Sequence, residues 1–171
     1  MNLKLLTIQH KDVLKQLLEG KVFYADIKRV PKNRVIPYQD MILAYHWNNC
    51  PIFAGVVGKR SEFYGARTND SVMIELVVPE EEVKLQNYYN WSDVIYFLEE
   101  KWEWGGSVTL EEFEQQVLTQ TQFKKEEVVQ ATINRIEPMW LFKYTDSVTE
   151  KFIHNHYGSG GRNVLKDITK Y

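Results

Sequence analysis

The chain has 171 residues, of which 44% are hydrophobic and 26% charged, enough to bury one sizeable core and too few for two ordinary domains. That balance excludes a disordered or collagen-like chain. A formal net charge of -2 gives no overall attraction for a phosphate backbone, and a single cysteine, Cys50, excludes an internal disulfide framework and any multi-cysteine metal site.

One cysteine fits a reducing, cytoplasmic compartment. Flanked by "NN" and Pro51, Cys50 reads as a small residue in a turn, since no helix start or basic neighbour lies beside it to activate the thiol. No segment reaches the roughly 18 apolar residues of a membrane helix, so no membrane partner is expected.

The chain opens β-α. "LKLLTIQ", Leu3 to Gln9, reads as a strand; "KDVLKQLLEG" then puts Val13, Leu14, Leu17 and Leu18 on one helical face with Gly20 as the stop. "KVFYADIKRV" reads as a short strand turned by "PKNR". Pro37 suits the first turn of a helix carrying Tyr38, Met41, Ile42 and Tyr45, which ends at "NNCP". "PIFAGVVG" is a strand, "KRSEFYGARTND" an exposed loop, and "VMIELVV" an apolar run covered on both faces, interrupted by Glu75.

Asn90 suits the cap of a helix with Trp91, Val94, Ile95, Leu98 and Trp102 on one side, broken by "GG" at 105 and 106. Thr109 and Glu112 form a capping box ahead of Leu110, Phe113 and Val117. In "VVQATINRI", Val129, Ala131 and Ile133 alternate with Gln130, Thr132 and Asn134, the pattern of a half-exposed strand. The expectation is one α+β domain over 1–145, with small mixed or antiparallel sheets flanked by helices, and a tail or docking segment over 146–171. Its core should hold Leu6, Ile8, Val13, Leu17, Ile74, Leu76, Val94, Leu98, Ala131 and Ile133.

With these elements in order, "LLTIQHKDVLKQLLEGKVFYAD", the "PY" and Met41 of "PYQDM", "PIFA", "VMIELVVPEEEV", the "W" of "NWSD" and "VQATINRIEPMW" resemble a bacterial family catalogued as domain of unknown function 3841. The chain departs from it where "PIFAG" replaces the family's "PIWAW". The same order is similar, more distantly, to the ADP-ribosyltransferase superfamily. That resemblance implies NAD as substrate, bound in a cleft between two small sheets; no metal is expected, because the residues offer no complete ligand set. It also implies a glutamate on a late strand that stabilises the ribosyl cation. Where related toxins carry Q-A-E, this chain has Gln130, Ala131 and Thr132. Threonine cannot supply the negative charge, so Glu126 and Glu127, just before the strand, are the catalytic candidates.

The cofactor-binding candidates are Gln9, His10, Tyr38, Arg67, Gln130 and Thr132. Gln9 and His10 end the first strand, where the resemblance implies contacts to the NAD ribose or diphosphate; the alternative is that His10 caps the helix and Gln9 sits on an edge. Arg67 offers bidentate geometry to a phosphate or carboxylate, or is a solvated loop residue. Tyr38 and Tyr45 are stacking platforms or core, and Trp91 belongs with them. Gln130 and Thr132 form a polar site wall or a solvent-facing edge.

Glu75 requires a partner or a place at the rim. His154 and His156 lack a third metal ligand, and "GSGGRN" lacks the strand and the Gly-Lys-Ser/Thr ending of a phosphate loop. Two functions remain open: an NAD-dependent ADP-ribosyltransferase or NAD glycohydrolase, and a non-catalytic module that binds a nucleotide, a nucleic acid or a protein partner.

Overall fold

The computed structural model describes residues 1–62, 70–89, 123–145 and 164–165. Its strands are β1 (Asn2–His10), β2 (Ile52–Val56), β3 (Ser61–Glu62), β4 (Ser71–Pro79), β5 (Val83–Asn87), β6 (Val129–Ile133), β7 (Leu141–Tyr144) and β8 (Val164–Leu165). Its helices are α1 (Lys11–Leu18) and α2 (Val35–Ala44). Across the sheet the order is β7-β4-β1-β2-β6-β3-β8, with β5 also paired to β6. Every described pairing is antiparallel except that of Ser61 with Val129. The class is α+β.

The long ladder joins β1 to β4, from Asn2↔Pro79 to His10↔Ser71. By contrast β1 meets β2 at two residue pairs, Leu5↔Val56 and Leu6↔Gly55. Beyond them the strands diverge, and the Thr7 hydroxyl donates to the Phe53 carbonyl at 2.9 Å. A second hydroxyl does similar work where β2 leaves β6. Ser61 Oγ accepts from the Val56 amide at 2.9 Å and donates to the Val129 carbonyl. Both hydroxyls are fully buried, and each meets backbone groups that the diverging strands would leave unpaired. Ser61 therefore does not belong to an exposed loop.

Side chains alternate across a strand, so the register assigns them to two faces. One carries Leu5, Ile52, Ala54, Val56, Val72, Ile74, Leu76, Val129, Ala131 and Ile133, and packs against Val13, Leu14 and Leu17 of α1. The other carries Leu6, Ile8, Phe53, Met73, Glu75, Gln86, Gln130 and Thr132, all buried. There α2 supplies Tyr38, whose ring centroid lies 5.3 Å from that of Phe53, and Tyr45. Both faces of β4 are covered over Ser71–Leu76, as its apolar run predicts.

The expected core residues Leu6, Ile8, Val13, Leu17, Ile74, Leu76, Ala131 and Ile133 are buried; Val94 and Leu98 lie outside the described residues. Leu18, expected on the buried face of α1, is 57% exposed. The "KVFYADIKRV" segment forms two isolated bridges, Phe23 to Ile136 and Ala25 to Cys50, and then a one-turn 3-10 helix capped by Asp26. Helix α2 begins at Val35, not Pro37. Pro37 falls in its first turn, where a missing amide hydrogen has no intrahelical acceptor to lose.

The two helices end alike. After α1, Gly20 takes a φ of 77°, with Gly20 N donating to Leu17 O and Lys21 N to Gln16 O. After α2, His46 takes a φ of 55°, with His46 N donating to Leu43 O and Trp47 N to Ile42 O. These are Schellman ends. The first places glycine at the left-handed position and the second an imidazole, at a steric cost that glycine avoids.

Candidate functional site

On the α2 face, β5 and β6 bring three polar side chains into one strip, which Tyr45 from the end of α2 joins. Gln86 and Gln130 stand directly opposite one another, and Thr132 faces Phe53 on one side and Lys84 on the other. Tyr45, at the C-cap of α2, donates from its hydroxyl to Gln86 Oε1 at 2.9 Å. Gln86 Nε2 donates to Gln130 Oε1, also at 2.9 Å. Thr132 Oγ1 lies 3.3 Å from the Lys84 carbonyl and 3.4 Å from Gln86 Oε1.

The chain of donors runs Tyr45 to Gln86 to Gln130 and stops there. Gln130 Nε2 is buried and has no hydrogen-bond partner among the described residues. Gln86, Gln130 and Thr132 are at most 1% exposed, so bulk water does not supply the missing acceptor. Burial pushes the Tyr45 phenol well above its usual range, against an opposing contribution from the Thr132 hydroxyl; the phenol therefore stays protonated and remains a donor. Among the hydrogen-bonded members of this strip no side chain is charged.

This geometry corrects the reading of β6 as half-exposed. Both of its faces are buried, because α2 covers the polar one and its polar groups, Gln130 Nε2 excepted, meet one another there. Gln130 and Thr132 are neither a solvent-facing edge nor an open wall.

The other nominated residues are dispersed. Gln9 lies on the α1 face, in register with Val72, and donates from Nε2 to Thr7 Oγ1 at 2.9 Å. His10 caps α1, its Nδ1 accepting from the Asp12 amide at 3.2 Å, with Asp70 Oδ2 4.0 Å from its Nε2. Tyr38 packs on Phe53. Glu126 is exposed, and its backbone carbonyl accepts from Arg60. Glu127 accepts through Oε1 from Asn87 Nδ2 at 3.3 Å and through Oε2 from the Lys124 amide at 2.6 Å. Arg67, Trp91, His154, His156 and the 158–163 segment lie outside the described residues.

Glu75 has the partner its position requires, since Lys4 Nζ lies 3.7 Å from Oε1 and 4.6 Å from the centroid of Phe142. Arg135 is held by both carboxylate oxygens of Glu82 at 3.1 Å and by Glu137, and it stacks on Trp140. This fork ties the end of β6 to the turn before β5. Cys50 is buried and free. Among the described residues there is no group of three or more potential metal ligands, and no helix long and apolar enough to cross a membrane.

Sequence reasoning missed Gln86. Its segment "VKLQN" alternates apolar and polar residues, which is the signal of a strand, but it is framed by "EEE" and "YYNW", and the pairing that gives Gln86 its meaning lies more than 40 residues downstream. The chain matches no protein-family model, no curated protein and no solved structure.

Proposed function

We propose that the protein is a binding module without chemistry of its own, and that it takes a nucleotide-class ligand. The observation that carries this reading is the division of the polar side chains. Gln9 lies on the face packed by α1, Gln130 and Thr132 lie on the face covered by α2, and the Glu127 carboxylate is already held by Asn87 and Lys124. A carboxylate that stabilises a developing ribosyl cation must be preorganised toward that charge. Both oxygens of Glu127 are instead turned to the protein's own amides.

The ligand class rests on the resemblance to domain-of-unknown-function family 3841 and to the ADP-ribosyltransferases, for which NAD is the implied molecule. Cytoplasmic residence belongs to the same proposal, supported by the lone free thiol. The test is thermal stabilisation by NAD and ADP-ribose alongside a chromatographic assay for nicotinamide. Stabilisation without nicotinamide release is expected. Release over hours would overturn the reading, and the absence of any stabilisation would turn the search to oligonucleotides and protein partners.

One observation favours the enzymatic alternative. The sheet divides into a β7-β4-β1 unit and a unit built on β2, β5 and β6, joined at two residue pairs; two small sheets are what the ADP-ribosyltransferase resemblance implies for an NAD cleft. In that case exposed Glu126 would carry the charge, and Glu126→Gln would remove nicotinamide release while leaving NAD binding intact.

A further inference from the structure

We propose that the outward face of α2 pairs with the same face of a second copy of the chain, the two helices running antiparallel about a two-fold axis at Ile36. This pairing is independent of the ligand class given above.

The face is apolar, open and carries one unmatched charge. Pro37, Met41 and Ala44 are the buried residues of α2, and the helical repeat sets Ile36, Gln39 and Leu43 on the other side with Asp40 at the border. Leu43 is 60% exposed and Ile36 half-buried. Asp40 is half-buried too, and burial alone pushes its carboxyl up. Among the described residues no cation lies within ion-pair distance of it. A partner seated on this face must bring both apolar surface and a cation.

The chain itself supplies that cation. Lys28, Arg29, Lys32 and Arg34 fall within seven residues that hold no carboxylate, in a chain of net charge -2. Lys28, Arg29 and Lys32 are exposed, and no carboxylate among the described residues pairs with them. The run leads directly into α2, at the positive end of the helix dipole. There Arg34 is the N-cap, no side chain caps the first amides, and the first turn holds no acid; the last turn holds no base. Thus α2 complements neither end of its own dipole.

An antiparallel copy answers each of these features at once. With the axis at Ile36, the residue lies against its own counterpart, Asp40 of each copy lies beside Lys32 of the other, and Leu43 lies beside the turn that holds Arg29 and Val30. Each basic run then flanks the C-terminal half of the opposite helix, which carries both the negative dipole end and Asp40. The surface is self-complementary, as an isologous contact requires, whereas parallel helices would set like charges together. One helix face and the turn before it cover less than the roughly 1,200 Å² of a standard interface, so the dimer is weak.

Sedimentation equilibrium of the full-length protein is the test. From about 10 μM to about 1 mM the weight-average mass should rise towards that of two chains, and less so as salt is raised. Leu43→Glu, Asp40→Lys and Lys32→Glu should each raise the dimer Kd at least about tenfold. Mixing Asp40→Lys with Lys32→Glu should restore association to within about threefold of wild type, because each copy then meets the opposite charge. If Asp40→Lys fails to fold, Leu43→Glu and Lys32→Glu, both at exposed positions, still decide the matter. A chain that is monomeric at about 1 mM, variants that associate like wild type, or a mixture of folded variants that stays monomeric would overturn the pairing. Binding of a basic amphipathic helical peptide by a chain that stays monomeric would assign the face to a foreign partner and overturn it equally.

Discussion

Gln86 donates from Nε2 to Oε1 of Gln130 at 2.9 Å, across a pair in which the two residues stand directly opposite. Each amide is buried, so each depends on the other for satisfaction. Removing one partner of a buried pair costs about 1–3 kcal/mol for every group left unmet, whereas replacing both by apolar residues of similar shape is nearly neutral. Gln86→Leu should therefore destabilise the protein by about 2 kcal/mol or more, since it strands both the Gln130 amide and the Tyr45 hydroxyl. Gln86→Leu combined with Gln130→Met should recover most of that loss. Urea unfolding of the two single variants and the double variant gives the coupling; additive losses would contradict the pairing.

Replacing His46 by glycine should stabilise the fold. The left-handed conformation costs a residue with a Cβ about 1–2 kcal/mol, and glycine has no such penalty, although its unfolded chain is more disordered. A net gain of about 0.5–1 kcal/mol in urea unfolding is expected, with a loss for His46→Val. Gly20→Ala, at the matching end of α1, should fall on the losing side.

Ile74 is fully buried in β4, on the face packed by α1. An unpaired carboxylate there costs several kcal/mol against a total stability of about 5–15 kcal/mol, so Ile74→Asp should yield insoluble or unfolded protein. A soluble variant with a cooperative melt would contradict the assignment of β4 to the interior of the sheet.

Burial, with a smaller push from Asp26, raises the Cys50 thiol to about 11. The folded protein therefore holds the unreactive thiol at pH 8, where an unfolded chain already ionises in part. A thiol-specific disulfide reagent should label native protein slowly, and labelling should accelerate in step with urea unfolding. The sign for stability follows: the unfolded state releases the proton first, so this group's contribution is intact below about pH 8.5 and is lost as the pH rises towards 11.

Some of this architecture is legible in the residues. β1 and β4 follow from apolar-rich runs, and α1 from the helical spacing of Val13, Leu14 and Leu17 and from Gly20, whose stop signal is local. The polar face of β6 is located correctly but misjudged, because alternation reports that Gln130 and Thr132 share a side and not whether a helix covers it. Burial of glutamine becomes acceptable only when another polar group arrives, and Gln86 arrives from a strand masked by its acidic and aromatic neighbours. β7 is short and exposed, with an irregular register against β4 at Glu75 and Leu76, and so has no periodic pattern to read. Gln9 and Gln130 look alike as polar residues on strands; only the register assigns them to opposite faces.

The position of β6 also has a consequence for synthesis on the ribosome. β1 and β4 can complete their ladder as soon as Pro79 has left the exit tunnel, because every residue of that pair lies in the first half of the chain. β2 and β5 cannot pair with each other; both use β6, which is made last of the three. A nascent chain halted before Val128 would thus carry one finished hairpin-like unit beside two strands, each with a backbone edge left open where β6 belongs. That interval is when the chain is most exposed to wrong pairing with other nascent chains, and its length is set by the translation time between Asn87 and Ile133.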